Sequence, residues 1–197
     1  MFESALTALG LTKKALKSRS EFNFDSGDAA NLEGAIAILR VVAALREWNF
    51  RKIKLIQPAS NKPCADLVSE KNGQKVCWEV KAVTKQSSGR SKEGLLFIDG
   101  LEDQLYEKIL ESISKARTQL EASAAHLHCT VKIFVCVVNW FDHSIYLDQD
   151  NYQHIVNRLE KDQDLESLQG VDGVLFVLKP GHTYFFLKGR GKSIDCR

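Results

Sequence analysis

The chain has 197 residues, enough for one domain with a full core. Apolar residues make up 44% and charged residues 26%, the balance of a globular protein, and no apolar run approaches the ~20 residues a membrane span needs. The net charge of +2 does not announce a polyanion binder, but residues 1–98 carry 16 Lys and Arg against 10 Asp and Glu, a net of +6, while residues 99–197 carry 11 against 15. A basic half suits a phosphate-bearing partner; a chance imbalance of solvated faces is the plainer alternative.

The five cysteines, at 64, 77, 129, 136 and 196, are odd in number and lack paired spacing. That predicts reduced thiols, and with no basic-then-apolar signal at the N-terminus the expectation is a cytoplasmic protein.

In chain order, residues 3–18 read as a short helix with apolar Leu6, Leu9 and Leu11 and a basic end of Lys13, Lys14, Lys17 and Arg19. Residues 19–29 are rich in turn formers. A second helix is predicted over 30–48, where Leu32, Ala35, Ile36, Leu39, Val42, Ala43 and Leu45 follow helical spacing and Ile38 and Val41 widen the stripe. Glu33 is one of the few charges in its first half; a helix-start glutamate is favoured by the macrodipole whether or not it has a further role. Residues 53–57 form a first strand, with Arg51, Lys52 and Lys54 around it.

Residues 63–83 read as a β-hairpin. Asn72-Gly73 between two β-prone runs suits a two-residue type I′ turn, which needs positive φ at both positions. Lys71 then pairs with Gln74, and counting back along both strands places Asp66 opposite Glu79 in a non-hydrogen-bonded pair, with Cα atoms about 4.5 Å apart. The side-chain period of two puts Lys81 on the face of Glu79, and Val76, Trp78, Val80 and Ala82 on the other, core-like face. Two carboxylates so close require a cation between them or a proton on one.

Residues 84–94 are Ser/Gly-rich, a loop on which Lys85, Arg90 and Lys92 either contact phosphates or are simply solvated. Residues 101–127 form the clearest helix, with Leu101, Leu105, Ile109, Ile113, Ala116, Leu120, Ala124 and Leu127 at steps of three and four; its polar face carries Lys115 and Gln119. An apolar strand follows at 130–138. A loop at 139–143, a short strand at 144–147, a helix at 151–162, a polar connection to 170 and a second hairpin, 173–178 with 183–187, complete the chain before a basic tail. The order implies an α/β sandwich around a mixed sheet: one domain, 1–197, with its core at about 30–140 and the C-terminal helix and hairpin, 149–187, packed on it.

Asp66 followed by Glu79-Val80-Lys81 on the next strand resembles the restriction-endonuclease-like nucleases of the PD-(D/E)-X-K superfamily, over roughly residues 30–140. The proline departs from the pattern: Pro63 lies three residues before Asp66 rather than next to it. The resemblance implies a central mixed β-sheet flanked by helices and a Mg²⁺-dependent endodeoxyribonuclease, with Mn²⁺ substituting. It implies a metal held by Asp66, Glu79 and the Val80 carbonyl, with Lys81 orienting or helping to deprotonate the attacking water. Glu33 matches the acidic residue that many members carry on the helix before the hairpin, and Lys115 and Gln119 match helix positions that can approach the site. DNA is the implied partner, and a homodimer the assembly that cuts both strands. The rival is a nuclease-like scaffold that binds nucleic acid or protein and cuts nothing, its acids and Lys81 forming a structural ion cluster.

Other chemistry finds little support. The five histidines show no His-x-x-x-His spacing and the cysteines no Cys-x-x-Cys, against a structural zinc site. Gly191-Lys192-Ser193 matches the end of a phosphate-binding loop, but Phe186 stands where that loop needs glycine.

Overall fold

Six strands hydrogen-bond side by side in the order in which they occur in the sequence. The computed structural model describes residues 2–10, 29–56, 63–83, 101–138, 149–179 and 182–187. The strands are β1 (Arg51–Leu55), β2 (Leu67–Lys71), β3 (Gln74–Val83), β4 (Val131–Val138), β5 (Gly173–Lys179) and β6 (His182–Leu187). The helices are α1 (Phe2–Ala8), α2 (Ala29–Glu47), α3 (Leu101–Leu127) and α4 (Gln149–Lys161).

The sheet is mixed, as expected. β1, β2 and β3 pair antiparallel, β3, β4 and β5 parallel, and β5 and β6 antiparallel. Each parallel step is bridged by a helix, α3 from β3 to β4 and α4 from β4 to β5. Two crossovers of the same hand moving in the same direction put both helices on one face.

Side-chain alternation sorts the strands into two cores. Trp78, Val80, Val131, Ile133, Val135, Leu175 and Val177 pack against α1 and α2. Cys77, Phe134, Cys136, Val174 and Phe176 pack against α3 and α4. The central strands are therefore covered on both faces, which explains why 131–138 is almost continuously apolar.

The hairpin register is the expected one. Lys71 pairs with Gln74 and Leu67 with Trp78, and Asn72 (φ 51) and Gly73 (φ 77) both adopt the left-handed conformation. Trp78 anchors it. Its ring is fully buried, meets Phe50 edge-on at 5.3 Å between centroids, and its Nε1 donates to Ser69 Oγ at 2.9 Å. Trp78→Ala is expected to cost about 3–5 kcal/mol in urea unfolding, because it opens a cavity and leaves buried Ser69 without its donor.

Several elements depart from the sequence reading. α1 ends at Ala8, not at 18. The amide of Leu9 donates to Ala5 and that of Gly10 to Thr7, and Gly10 (φ 62) turns the chain out of the helix. Lys13, Lys14, Lys17 and Arg19 lie outside the described residues, as does the strand expected at 144–147. β1 starts at Arg51 rather than 53 because Asn49 (φ 62) makes a tight turn out of α2. Arg40, which interrupts the apolar stripe of α2, is buried, and its guanidinium donates to the Leu178 carbonyl. Burial lowers that guanidinium's pKa to about 10, which still leaves it charged at neutral pH. No helix among the described residues is long and apolar enough to cross a membrane.

Candidate active site

The chain leaves the sheet immediately before Asp66, and α3 is the cause. The Ala65 amide donates to Ser123 Oγ at 2.8 Å, and Gln119 Nε2 donates to the Cys64 carbonyl at 3.3 Å. Ser123 and Gln119 are four residues apart, one turn of the same helix face. Together they lift residues 64 and 65 away from β3.

Asp66 stands at the point of departure. Its amide donates to the Trp78 carbonyl at 3.1 Å, and its carbonyl accepts from Ile56 at 2.9 Å. The next rung of the β2–β3 ladder is made by its side chain: the Val80 amide donates to Asp66 Oδ2 at 2.8 Å. The regular ladder therefore ends at Leu67, one residue short of the expected Asp66–Glu79 pair: the Asp66 amide donates to Trp78 instead, while its carboxylate lies near enough to Glu79 for each to shift the other's ionisation. In a strand, the N–H and C=O of one residue point to the same side. The Val80 carbonyl thus points into the gap that Ala65 vacates.

Glu79 is completely buried, on the face of β3 that looks towards α3. Lys81 Nζ lies 2.6 Å from Glu79 Oε1, a close ion pair with a buried carboxylate. The Lys81 side chain is 44% exposed, so the group of three opens to solvent on its side.

Burial, then the neighbouring Asp66 charge, pushes the Glu79 carboxyl up to about 7, with Lys81 pulling the other way. Burial also raises Asp66, against the Val80 amide, Lys81 and a protonated Glu79, all of which favour its ionised form. The pair thus holds a proton near neutrality unless a cation replaces it. The ligands these residues offer such a cation are oxygens: Glu79 Oε1 and Oε2, the Asp66 carboxylate and the Val80 carbonyl. That donor set fits Mg²⁺ or Mn²⁺ rather than a metal that prefers sulfur or nitrogen.

Asp66, Glu79, Val80 and Lys81 are therefore brought together. Glu33 lies near the start of α2, half-buried, with its Oε2 out of solvent. It shares a helix face with Ala37 and Val41, both fully buried against the other core. It does not join Asp66 and Glu79 in a cluster: no group of three or more His, Cys, Asp or Glu side chains suited to a metal occurs among the described residues. Lys115 is exposed and pairs with Glu111 at 2.5 Å within its own helix. Gln119 reaches the site region only through the Cys64 carbonyl. Lys85, Arg90 and Lys92 lie outside the described residues.

Sequence reasoning missed Ser123. Its only signal was a small polar residue one turn after Gln119 on an otherwise solvated face. Comparison with family models, curated proteins and solved structures finds no match to this chain.

Proposed function

We propose that the protein is a metal-dependent nuclease of the restriction-endonuclease-like, PD-(D/E)-X-K type, hydrolysing phosphodiester bonds in DNA. The observation that carries this reading is the convergence of Asp66, fully buried Glu79 and Lys81 where β2 parts from β3. Asp66, Glu79 and the Val80 carbonyl would hold Mg²⁺. When bound, the ion supplies a Lewis acid for the phosphate and lowers the pKa of water.

The chain's own residues account for the rest. The Val80 amide keeps one Asp66 oxygen fixed and so orients the carboxylate. Burial of Glu79 excludes bulk water from one side of the pair. Lys81, at the solvent side, is placed to position the attacking water and to stabilise charge developing on the phosphate oxygens. Its flexible stem lets it exchange the Glu79 oxygen for a substrate oxygen.

The test is Mg²⁺-dependent cleavage of plasmid and of single-stranded DNA by wild type, Asp66→Ala and Lys81→Ala. Lys81→Ala is expected to slow cleavage by about 10²-fold or more while the protein stays folded, the scale of losing one transition-state charge partner. Activity that survives both substitutions unchanged removes the mechanism.

One observation favours a second reading. Lys81 already neutralises Glu79 at 2.6 Å, as it would in a nuclease-like scaffold that binds without cutting. Calorimetric titration with Mn²⁺ separates the two. A catalytic site binds the ion and loses it in Asp66→Ala; a structural ion cluster shows no specific uptake in either protein.

A further inference from the structure

β1 is the outer strand of the sheet, and Arg51, Lys52 and Lys54 along it are all exposed. Two clefts adjoin this edge and share Lys52. One, of about 590 Å³, lies between α1 and β1 and is lined by Arg46 and Lys54. The other, of about 440 Å³, lies beside the hairpin turn and is lined by Arg51, Lys71 and Glu70. Five cationic side chains thus line the two clefts against one carboxylate. Glu70 is itself held below the usual carboxylate range by Lys52, 2.7 Å away, with help from Lys75 and Lys54.

Lysines and a bulge on an edge strand also guard against pairing with another sheet, and β1 has both. Edge protection accounts for Lys52 and Lys54. It does not account for Arg46, on the last turn of α2, or Lys71, at the hairpin turn. Neither lies on the edge strand, yet Arg46 lines the cleft beside α1 and Lys71 the cleft beside the hairpin turn.

The edge also leads to the carboxylate pair. Lys54 pairs with Val68, two residues from Asp66, and the Ile56 amide donates to the Asp66 carbonyl. From Asp66 to Glu70, which pairs with Arg51, the chain advances four residues, about 14 Å at ~3.4 Å each. A duplex strand presents about four phosphates over that length of its axis.

We propose that the β1 edge and its two clefts are the docking surface for a nucleic-acid sugar–phosphate backbone, which they lead to Asp66 and Glu79. This rests on the nuclease reading, since it supplies the substrate track for that site. The contacts are to phosphate, so the surface positions the strand and carries no base preference.

The test uses full-length protein carrying Asp66→Asn, without divalent metal, so that binding is read apart from cleavage. Anisotropy of a labelled 20-mer, duplex and single-stranded, is followed from about 50 to 200 mM salt. Adding Arg51→Gln and Lys54→Gln is expected to weaken binding about tenfold at the low-salt end and to reduce the salt slope by about two, one for each lost phosphate contact. Thermal unfolding checks that the variants fold, and Lys54→Glu alone, expected to weaken binding more than Lys54→Gln alone, repeats the test with one change. Unchanged affinity and slope in folded variants overturn the proposal, as does an equal loss of affinity for polyglutamate, which would mark a surface for acidic protein. The two readings fail separately. Wild-type cleavage with edge variants that bind normally sinks the docking surface alone, and edge-dependent binding without cleavage by wild type sinks the nuclease reading alone.

Discussion

Asp66→Asn is expected to abolish Mg²⁺-dependent cleavage, by about 10³-fold or more, while leaving the urea midpoint at or slightly above that of wild type. Asparagine keeps an oxygen able to accept from the Val80 amide, so the rung that ends the hairpin survives. What it removes is charge. A site that binds a divalent ion through two carboxylates loses half of its anionic ligands, and with them the affinity that places the ion beside the phosphate. The folded chain gains from the same change, because Asp66 and Glu79 no longer repel across a buried gap. Asp66→Ala serves as the contrast. It loses the Val80 acceptor too, so it should be inactive and also less stable, by about 1–3 kcal/mol. Cleavage by Asp66→Asn at more than a tenth of the wild-type rate would rule out the metal-binding role proposed for Asp66.

Glu79→Gln should be inactive yet more stable than wild type at pH 8 in the absence of metal. The folded-state carboxyl is raised from 4.5 to about 7, chiefly by burial and then by Asp66. Between those values the folded chain holds a proton that the unfolded chain has released. Its stabilising contribution is complete below the unfolded value and is lost as pH rises through the folded one. At ~1.4 kcal/mol for each pH unit of that window, the loss amounts to about 3 kcal/mol above neutrality. Glutamine carries no such charge, so the difference between the two proteins should grow between pH 5 and 8 and level off above that. Urea unfolding at both pH values, with chelator, measures it. Adding Mg²⁺ at pH 8 should then raise the wild-type midpoint and leave Glu79→Gln unmoved, since a ligand stabilises only the state that binds it. A wild-type protein more stable than Glu79→Gln at pH 8 without metal would show that the carboxyl is not strained by its burial. The two substitutions describe one compromise: the acids that would hold a cation weaken the fold until it arrives.

Much of this arrangement is legible in the amino-acid sequence, and the hairpin shows why. Turn chemistry at Asn72-Gly73 and a side-chain period of two are local rules, acting between residues a few positions apart. They determined the register of β2 on β3 from Leu67 to Gln74, the nearness of the Asp66 and Glu79 side chains, the placing of Lys81 beside Glu79, and the burial of Trp78 on the opposite face. Helical spacing likewise located α2 and α3, and alternation of helix and strand the mixed sheet between two helical layers.

What the tertiary structure alone decided lies at longer range. Ser123 and Gln119 act on residues 58 and 55 positions away, and no local pattern announces a contact between a helix side chain and a distant backbone amide. Those contacts end β2 at Leu67 and turn a regular ladder into a gap with a carbonyl pointing into it. The burial of Arg40 and the gathering of Arg46 and Lys71 beside β1 also depend on which faces pack together. So does the elevated pKa of Glu79, because desolvation is a property of everything that surrounds a group and not of its neighbours in the chain.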